Sequence, residues 1–279
     1  MLRYYYDGVR IIDCNEKTAA AGGFTGCPVL YPTPNRVKDC TTVYNGKSYT
    51  QMKNGKPHML HGYAYDSVFE IEEEKTDDEF ASVSLSMSMK EGDEVLKSYP
   101  FENKLTVTYT LFENSIRITY KADNNSKSVM PYGFAIHPYF YFEDDALFTI
   151  PSDEFVETTP EVIPTRRILK TEEHFKGINK GWLASQCVLD NNFIKRDGEN
   201  ATLTLLKEKV KVTFAVPDDF KHFVVYHPNG GKFICIENQT CSIDANNLYL
   251  EGLKEVANQK FINPGESESK SIELKLERV

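Results

Sequence analysis

The stretch GFAIHPYFYF, residues 133–142, holds a single side chain that titrates near neutral pH, His137, in an otherwise apolar and aromatic run. Two further residues of proton-passing type stand in suggestive settings. His61 lies in MLHGYAYDSVFEI beside a glycine that lets backbone approach a ligand, and Glu237 closes the apolar run FICIE. Imidazole and carboxylate titrate near roughly 6.5 and 4.3 when unperturbed, so together they can give and take protons near neutral pH. Each also has a plain structural reading: an imidazole bonded to backbone carbonyls, and a strand-end acid facing solvent. Arg36 ends PVLYPTPNR, too rich in proline for a helix and too apolar for a free linker, where an anchoring ion pair would serve. Asp190 lies in VLDNNF, which reads as a short polar turn of the Asx type.

Other chemistries fail on spacing. Gly46-Lys47-Ser48 resembles the end of a phosphate loop, but the first glycine of that pattern would fall at Thr41 and no helix follows. Gly22, Gly23 and Gly26 nearly spell a dinucleotide fingerprint. Ala21 occupies the place of its first glycine, however, and Pro28, Pro32 and Pro34 forbid the helix that would receive a pyrophosphate. His58 and His61 are bracketed by Pro57 and Gly62 with no third metal ligand in view, and no Gly-x-Ser-x-Gly elbow exists.

The elements that must position these residues are strands. Period-two alternation recurs in SVSLSMSM (82–89), KLTVTYTLF (104–112), SIRITYKA (115–122), ATLTLL (201–206), KVKVTFAV (209–216) and SIELKLERV (271–279). Glu113-Asn114 suits a hairpin between the second and third, while KFICIE and HFVVY read as more deeply buried strands. Helical signals are confined to TEEHFKGI and to residues 249–259, both short. With 279 residues, 41% of them hydrophobic, and no compositional break or repeat, the expected fold is all-β, one large antiparallel β-sandwich domain over residues 1–279. The acidic run EIEEEKTDDE (70–79) reads as a solvated loop or strand edge.

A formal charge of −9 and the lack of any long Lys/Arg run argue against nucleic acid or an anionic membrane as partner. No stretch reaches the ~18 apolar residues of a membrane span, and Arg3, Asp7 and Arg10 interrupt any signal-peptide core, so a cytoplasmic protein is expected. The six cysteines have neither CxxC spacing nor scaffold density, which favours reduced thiols.

PVLYPTPNR, the His61-Gly62 segment, GFAIHPYF, VLDNNF, CIEN and the closing NPGES occur in the order and rough spacing of the aldose 1-epimerase (galactose mutarotase) family, and span almost the whole chain. The sequence resembles that family, whose fold is a galactose mutarotase-like supersandwich of antiparallel strands. The resemblance implies an isomerase, a mutarotase interconverting the α and β anomers of a free aldose by acid–base ring opening. It implies Glu237 as catalytic base, His137 as catalytic acid, His61 as a second active-site histidine, and Arg36 and Asp190 as sugar-binding residues. It implies no cofactor and no metal, a monosaccharide as small-molecule partner, and a monomer or homodimer.

Alternatives within the same fold are a hexose-6-phosphate 1-epimerase, for which Arg166-Arg167 is the only pair of adjacent arginines, and a non-catalytic carbohydrate-binding protein. The aromatic residues Tyr139, Phe140 and Tyr141 read mainly as core packing. Trp182, in KGINKGWLAS, is equally readable as a loop near the site or a surface plug.

Overall fold

All six alternating segments are strands: Ala81–Met89, Asn103–Phe112, Ser115–Asn124, Ala201–Leu205, Val210–Ala215 and Ser267–Arg278. The computed structural model describes residues 1–20 and 23–279; Ala21 and Gly22, from the glycine-rich stretch, lie outside the described residues. Among the described residues the helices are short, the longest being Ala245–Leu250, and the sheets are built of antiparallel ladders, Ala81–Met89 against Asn103–Phe112 for example. None among the described residues is long and apolar enough to cross a membrane.

By contact the chain divides into two units, each assembled from separate stretches of sequence. The first comprises Met1–Val29, Ala135–Gln239 and Leu274–Val279. Its larger sheet runs in the order Tyr4–Tyr6, Val9–Ile12, Tyr139–Tyr141, Phe233–Gln239, His222–His227, Leu189–Lys195, Ser152–Thr158, Pro164–Lys170. One face of that sheet is apolar, with Phe140, Phe193, Phe223, Val225, Ile234 and Ile236 fully buried. It packs on a second sheet that includes Ala201–Leu205 and Val210–Ala215, where Phe140 meets Phe214 edge to face at 5.5 Å. Trp182 sits on this second sheet, in the two-residue strand Trp182–Leu183, its indole N–H donating to the Lys176 carbonyl at 3.0 Å.

The second unit comprises Leu30–Phe134 and Thr240–Glu273. A meander of Glu70–Thr76, Ala81–Met89, Asn103–Phe112 and Ser115–Asn124 forms its sheet. Phe112 faces Ser115, which makes Glu113-Asn114 the two-residue hairpin loop that the sequence suggests. Glu70–Thr76, from the acidic run, is an edge strand exposed at every residue. Charge on an unpaired edge discourages pairing with another chain. Tyr44, Tyr99, Phe101, Tyr120 and Phe134 form the aromatic interior of this unit, with Tyr120 stacked on Phe134 at 4.2 Å.

One buried cation in the first unit has a pH signature. The Lys195 side chain is 1% exposed and pairs with Asp218 at 2.6 Å. That ammonium, and after it the Gly198 N–H, holds the Asp218 carboxyl below the usual carboxylate range. A carboxyl whose folded pKa is depressed stabilises the fold above its unfolded value of roughly 3.9 and loses that contribution as pH falls through the lower folded value. Asp218→Asn, which mimics the protonated acid, is therefore expected to melt below wild type at pH 6. The gap should close in acid below roughly pH 3.9, a comparison made by thermal denaturation at both pH values.

Candidate active site

The register of the larger sheet in the first unit decides what meets what. Ala135 and Ile136 pair with Gln239 and Asn238, and Tyr139 and Phe140 pair with Cys235 and Ile234. The register is the same on both sides of Pro138, so His137 falls directly opposite Glu237. Directly opposed residues point to the same face of a sheet. His137 Nε2 lies 3.2 Å from Glu237 Oε1, and the two side chains are 6% and 2% exposed. Glu237 is an interior residue of the Phe233–Gln239 strand, not its end, and is buried rather than facing solvent. The strand-end reading of that acid is thereby corrected: pairing continues through Asn238 and Gln239 because residues 135 and 136 extend the ladder.

The imidazole ring stacks on aromatic neighbours. It lies parallel to Tyr139 at 4.8 Å between centroids and parallel to Phe24 at 6.3 Å, with interplanar angles of 5° and 4°. The His137 backbone N–H donates to the Pro28 carbonyl at 3.0 Å and that of Tyr139 to Gly26 at 2.8 Å, which fixes the strand carrying both rings. Tyr139 is thus a wall of the site as well as packing, whereas Phe140, one residue on, faces the core. Burial, then Cys235 and Glu237, raise the Tyr139 phenol far above its ordinary range, so it stays a neutral O–H. Burial likewise pushes the Cys27 thiol up to about 11 and that of Cys235 well above the ordinary thiol value. Neither is a thiolate near neutral pH, and neither is poised as a nucleophile.

Asp190 shares this face. It is opposite Tyr226, which is opposite Cys235, two residues from Glu237. Two strand spacings separate Asp190 from Cys235, roughly 10 Å of backbone. Asp190 is in the Leu189–Lys195 strand rather than a turn. The polar run Asp190-Asn191-Asn192 tolerates a strand because Asp190 and Asn192 point to the polar face while Phe193 fills the core.

His61 and Arg36 belong to the second unit, where Asn35 joins them. The His61 N–H donates to the Asn35 carbonyl at 2.7 Å, and the Asn35 N–H donates to His61 Nδ1 at 3.2 Å. A ring nitrogen that accepts a backbone N–H carries no hydrogen, so the neutral imidazole bears its proton on Nε2. Asn35 Oδ1 in turn accepts from the Arg36 N–H at 2.9 Å and from Arg36 Nη1 at 3.2 Å, which steers the guanidinium. His61 has φ 65° and Gly62 φ 64°, and a Cβ at residue 62 would come within 2.5 Å of the Tyr31 carbonyl oxygen. Only glycine fits there, which explains the glycine beside His61.

The five residues thus fall into two sets, each assembled within one unit: His137, Glu237 and Asp190 in the first, His61 and Arg36 in the second. The sequence reading missed Phe24, Tyr226 and Gln239. Gln239 follows Glu237 by two residues, and its Nε2 donates to Glu237 Oε2 at 3.0 Å. Even spacing from Glu237 and His137 is the signal that finds Gln239 and Tyr139. Among the described residues, no cluster of three or more His, Cys, Asp or Glu could hold a metal ion.

The family model of aldose 1-epimerase matches residues 13–275. The chain belongs to the aldose 1-epimerase family. Solved structures share its fold, an all-β architecture of antiparallel sheets. A galactose mutarotase-like protein from Clostridium acetobutylicum is 23% identical with a TM-score of 0.86, over 98% of this chain and 87% of that one. A galactose 1-epimerase from Lactobacillus acidophilus is 18% identical with a TM-score of 0.78, over 100% and 88%. An aldose epimerase homologue from C. elegans is 19% identical with a TM-score of 0.80, over 99% and 91%. At such identities the likeness establishes the galactose mutarotase-like fold of this family member, and its chemistry rests on its own residues.

Proposed function

We propose that the protein is a mutarotase of free aldoses, acting as one mutarotase-like β-sandwich domain over residues 1–279 and interconverting α and β anomers by acid–base ring opening. The observation that carries this reading is the buried contact of His137 Nε2 with Glu237 Oε1 at 3.2 Å. Ring opening of a hemiacetal requires a proton to leave the C1 hydroxyl and another to reach the ring oxygen. Those two oxygens share one carbon, so an acid and a base in direct contact can serve both, and they need not stand across a wide cleft. Glu237 takes the hydroxyl proton and His137 delivers one from Nε2 to the ring oxygen. The C1–C2 bond of the aldehyde rotates, and closure reverses the two roles.

Asp190, on the same face as His137 and Glu237, holds a hydroxyl group so that the reacting oxygens stay aligned, and the resemblance gives an active-site role to His61, whose Nε2–H is a donor, and a sugar-binding role to Arg36. The parallel stack of Phe24, His137 and Tyr139 keeps the imidazole from rotating away. A neutral aldose is favoured over a hexose 6-phosphate because both adjacent basic pairs are already engaged: Lys195 pairs with Asp218 at 2.6 Å and Arg196 with Asp153 at 2.5 Å. Arg167 pairs with Glu157 at 3.1 Å, and Arg166 Nη1 donates to the Pro164 carbonyl at 2.6 Å. Polarimetry with a panel of aldoses and their 6-phosphates tests the assignment. Acceleration of the free sugars is expected, and acceleration confined to the phosphates would overturn it.

A further inference from the structure

The carboxylate of Glu237 has two oxygens, and the structure treats them differently. Oε1 faces His137 Nε2, while Oε2 accepts Nε2–H of Gln239 at 3.0 Å. Gln239 is fully buried and points to the same face as Glu237, two residues along the same strand. Its carbonyl oxygen is buried with no hydrogen-bond partner among the described residues. An orphaned buried acceptor is costly. Turning the amide over would place that carbonyl against an ionised carboxylate and sacrifice the N–H···O contact, so the orphan is retained for the sake of Oε2.

We propose that Gln239 is a positioning residue for Glu237: its amide N–H clamps Oε2, fixes the plane of the carboxylate, and leaves Oε1 as the oxygen that exchanges a proton with the sugar. The inference rests on the mutarotase reading for its role in turnover, but not for its effect on the carboxylate. A hydrogen bond donated to the charged form favours that form. Losing it should therefore make Glu237 harder to ionise. The other titratable groups on this side of the sheet are His137 from the adjacent strand, Cys27 from the N-terminal segment, Tyr139 and Cys235 on the same face, His222, opposite Gln239 on the next strand, and beyond Cys235 the side chains of Tyr226 and Asp190. Tyr139, Cys27 and Cys235 stay neutral near pH 7.

The test is a carbon NMR titration of the Glu237 carboxyl, assigned by its loss in Glu237→Gln, in wild type and in Gln239→Met, which keeps the shape of the side chain and removes the donor. The midpoint in Q239M is expected about one pH unit higher, because a charge-assisted hydrogen bond contributes on that scale. The acid limb of kcat/KM should move with it, and kcat should fall about tenfold with KM nearly unchanged. A midpoint equal to wild type would overturn the proposal. In the wild-type protein the side-chain amide resonances of Gln239 should follow the Glu237 titration. Resonances that ignore it would overturn the proposal even if Q239M does not fold. Neither NMR readout needs turnover, so a wild type inactive on every aldose would refute the mutarotase reading and still leave the role of Gln239 decided.

Discussion

Replacing Glu237 by Gln, or His137 by Asn, is expected to lower the enzymatic rate of anomer equilibration by about 10²- to 10⁴-fold each. Glu237→Gln keeps size and hydrogen-bonding capacity; His137→Asn keeps a polar hydrogen-bonding group but gives up the ring that stacks on Tyr139, and both remove the ability to exchange a proton. His137 and Glu237 are in contact at 3.2 Å and form one proton-passing unit. The double variant should therefore be little worse than either single one, as residues acting as a unit are strongly non-additive. Polarimetry of a freshly dissolved pure anomer measures the rate after subtraction of the uncatalysed reaction. Single variants within a few-fold of wild type would remove His137 and Glu237 from the chemistry.

The second large effect is on stability. Phe140 is fully buried and meets Phe214 edge to face at 5.5 Å, on the opposite face of the strand from His137. Phe140→Ala removes a ring from a well-packed interior and leaves a cavity, which is expected to cost about 3–5 kcal/mol. Urea denaturation should give a lower midpoint with an unchanged slope, since the surface exposed on unfolding hardly alters. A loss under about 1 kcal/mol would mean that the residue is not where two sheets meet.

These two residues mark what a sequence of this kind reveals. Strands with one wet face, such as Asn103–Phe112 and Ser115–Asn124, alternate visibly, and their hairpin follows from two polar residues between them. The aromatic run of residues 133–142 conceals its alternation because both of its faces are enclosed. Phe140 and Phe142 go to the core while His137 and Tyr139 line the candidate site, and all four are buried. The acidic strand Glu70–Thr76 has no alternation either, for the opposite reason that both of its faces are wet.

His137, Glu237, His61, Arg36 and Asp190 were legible as residue types in a family order. The pairing of His137 with Glu237 was not, because it depends on a register shared by segments about a hundred residues apart that pass either side of Pro138. Nor was the part played by Asn35, whose backbone N–H sets the tautomer of His61 and whose side chain steers Arg36. Such bonds belong to a left-handed loop conformation that composition does not encode.

The central claim is that this buried imidazole–carboxylate pair opens and closes a hemiacetal ring. Exchange NMR on a free aldose already at anomeric equilibrium tests it most directly. With catalytic amounts of wild-type protein, cross-peaks should connect the anomeric protons of the α and β forms, and they should vanish when Glu237→Gln is substituted for wild type. Cross-peaks of equal strength with both proteins would contradict the account.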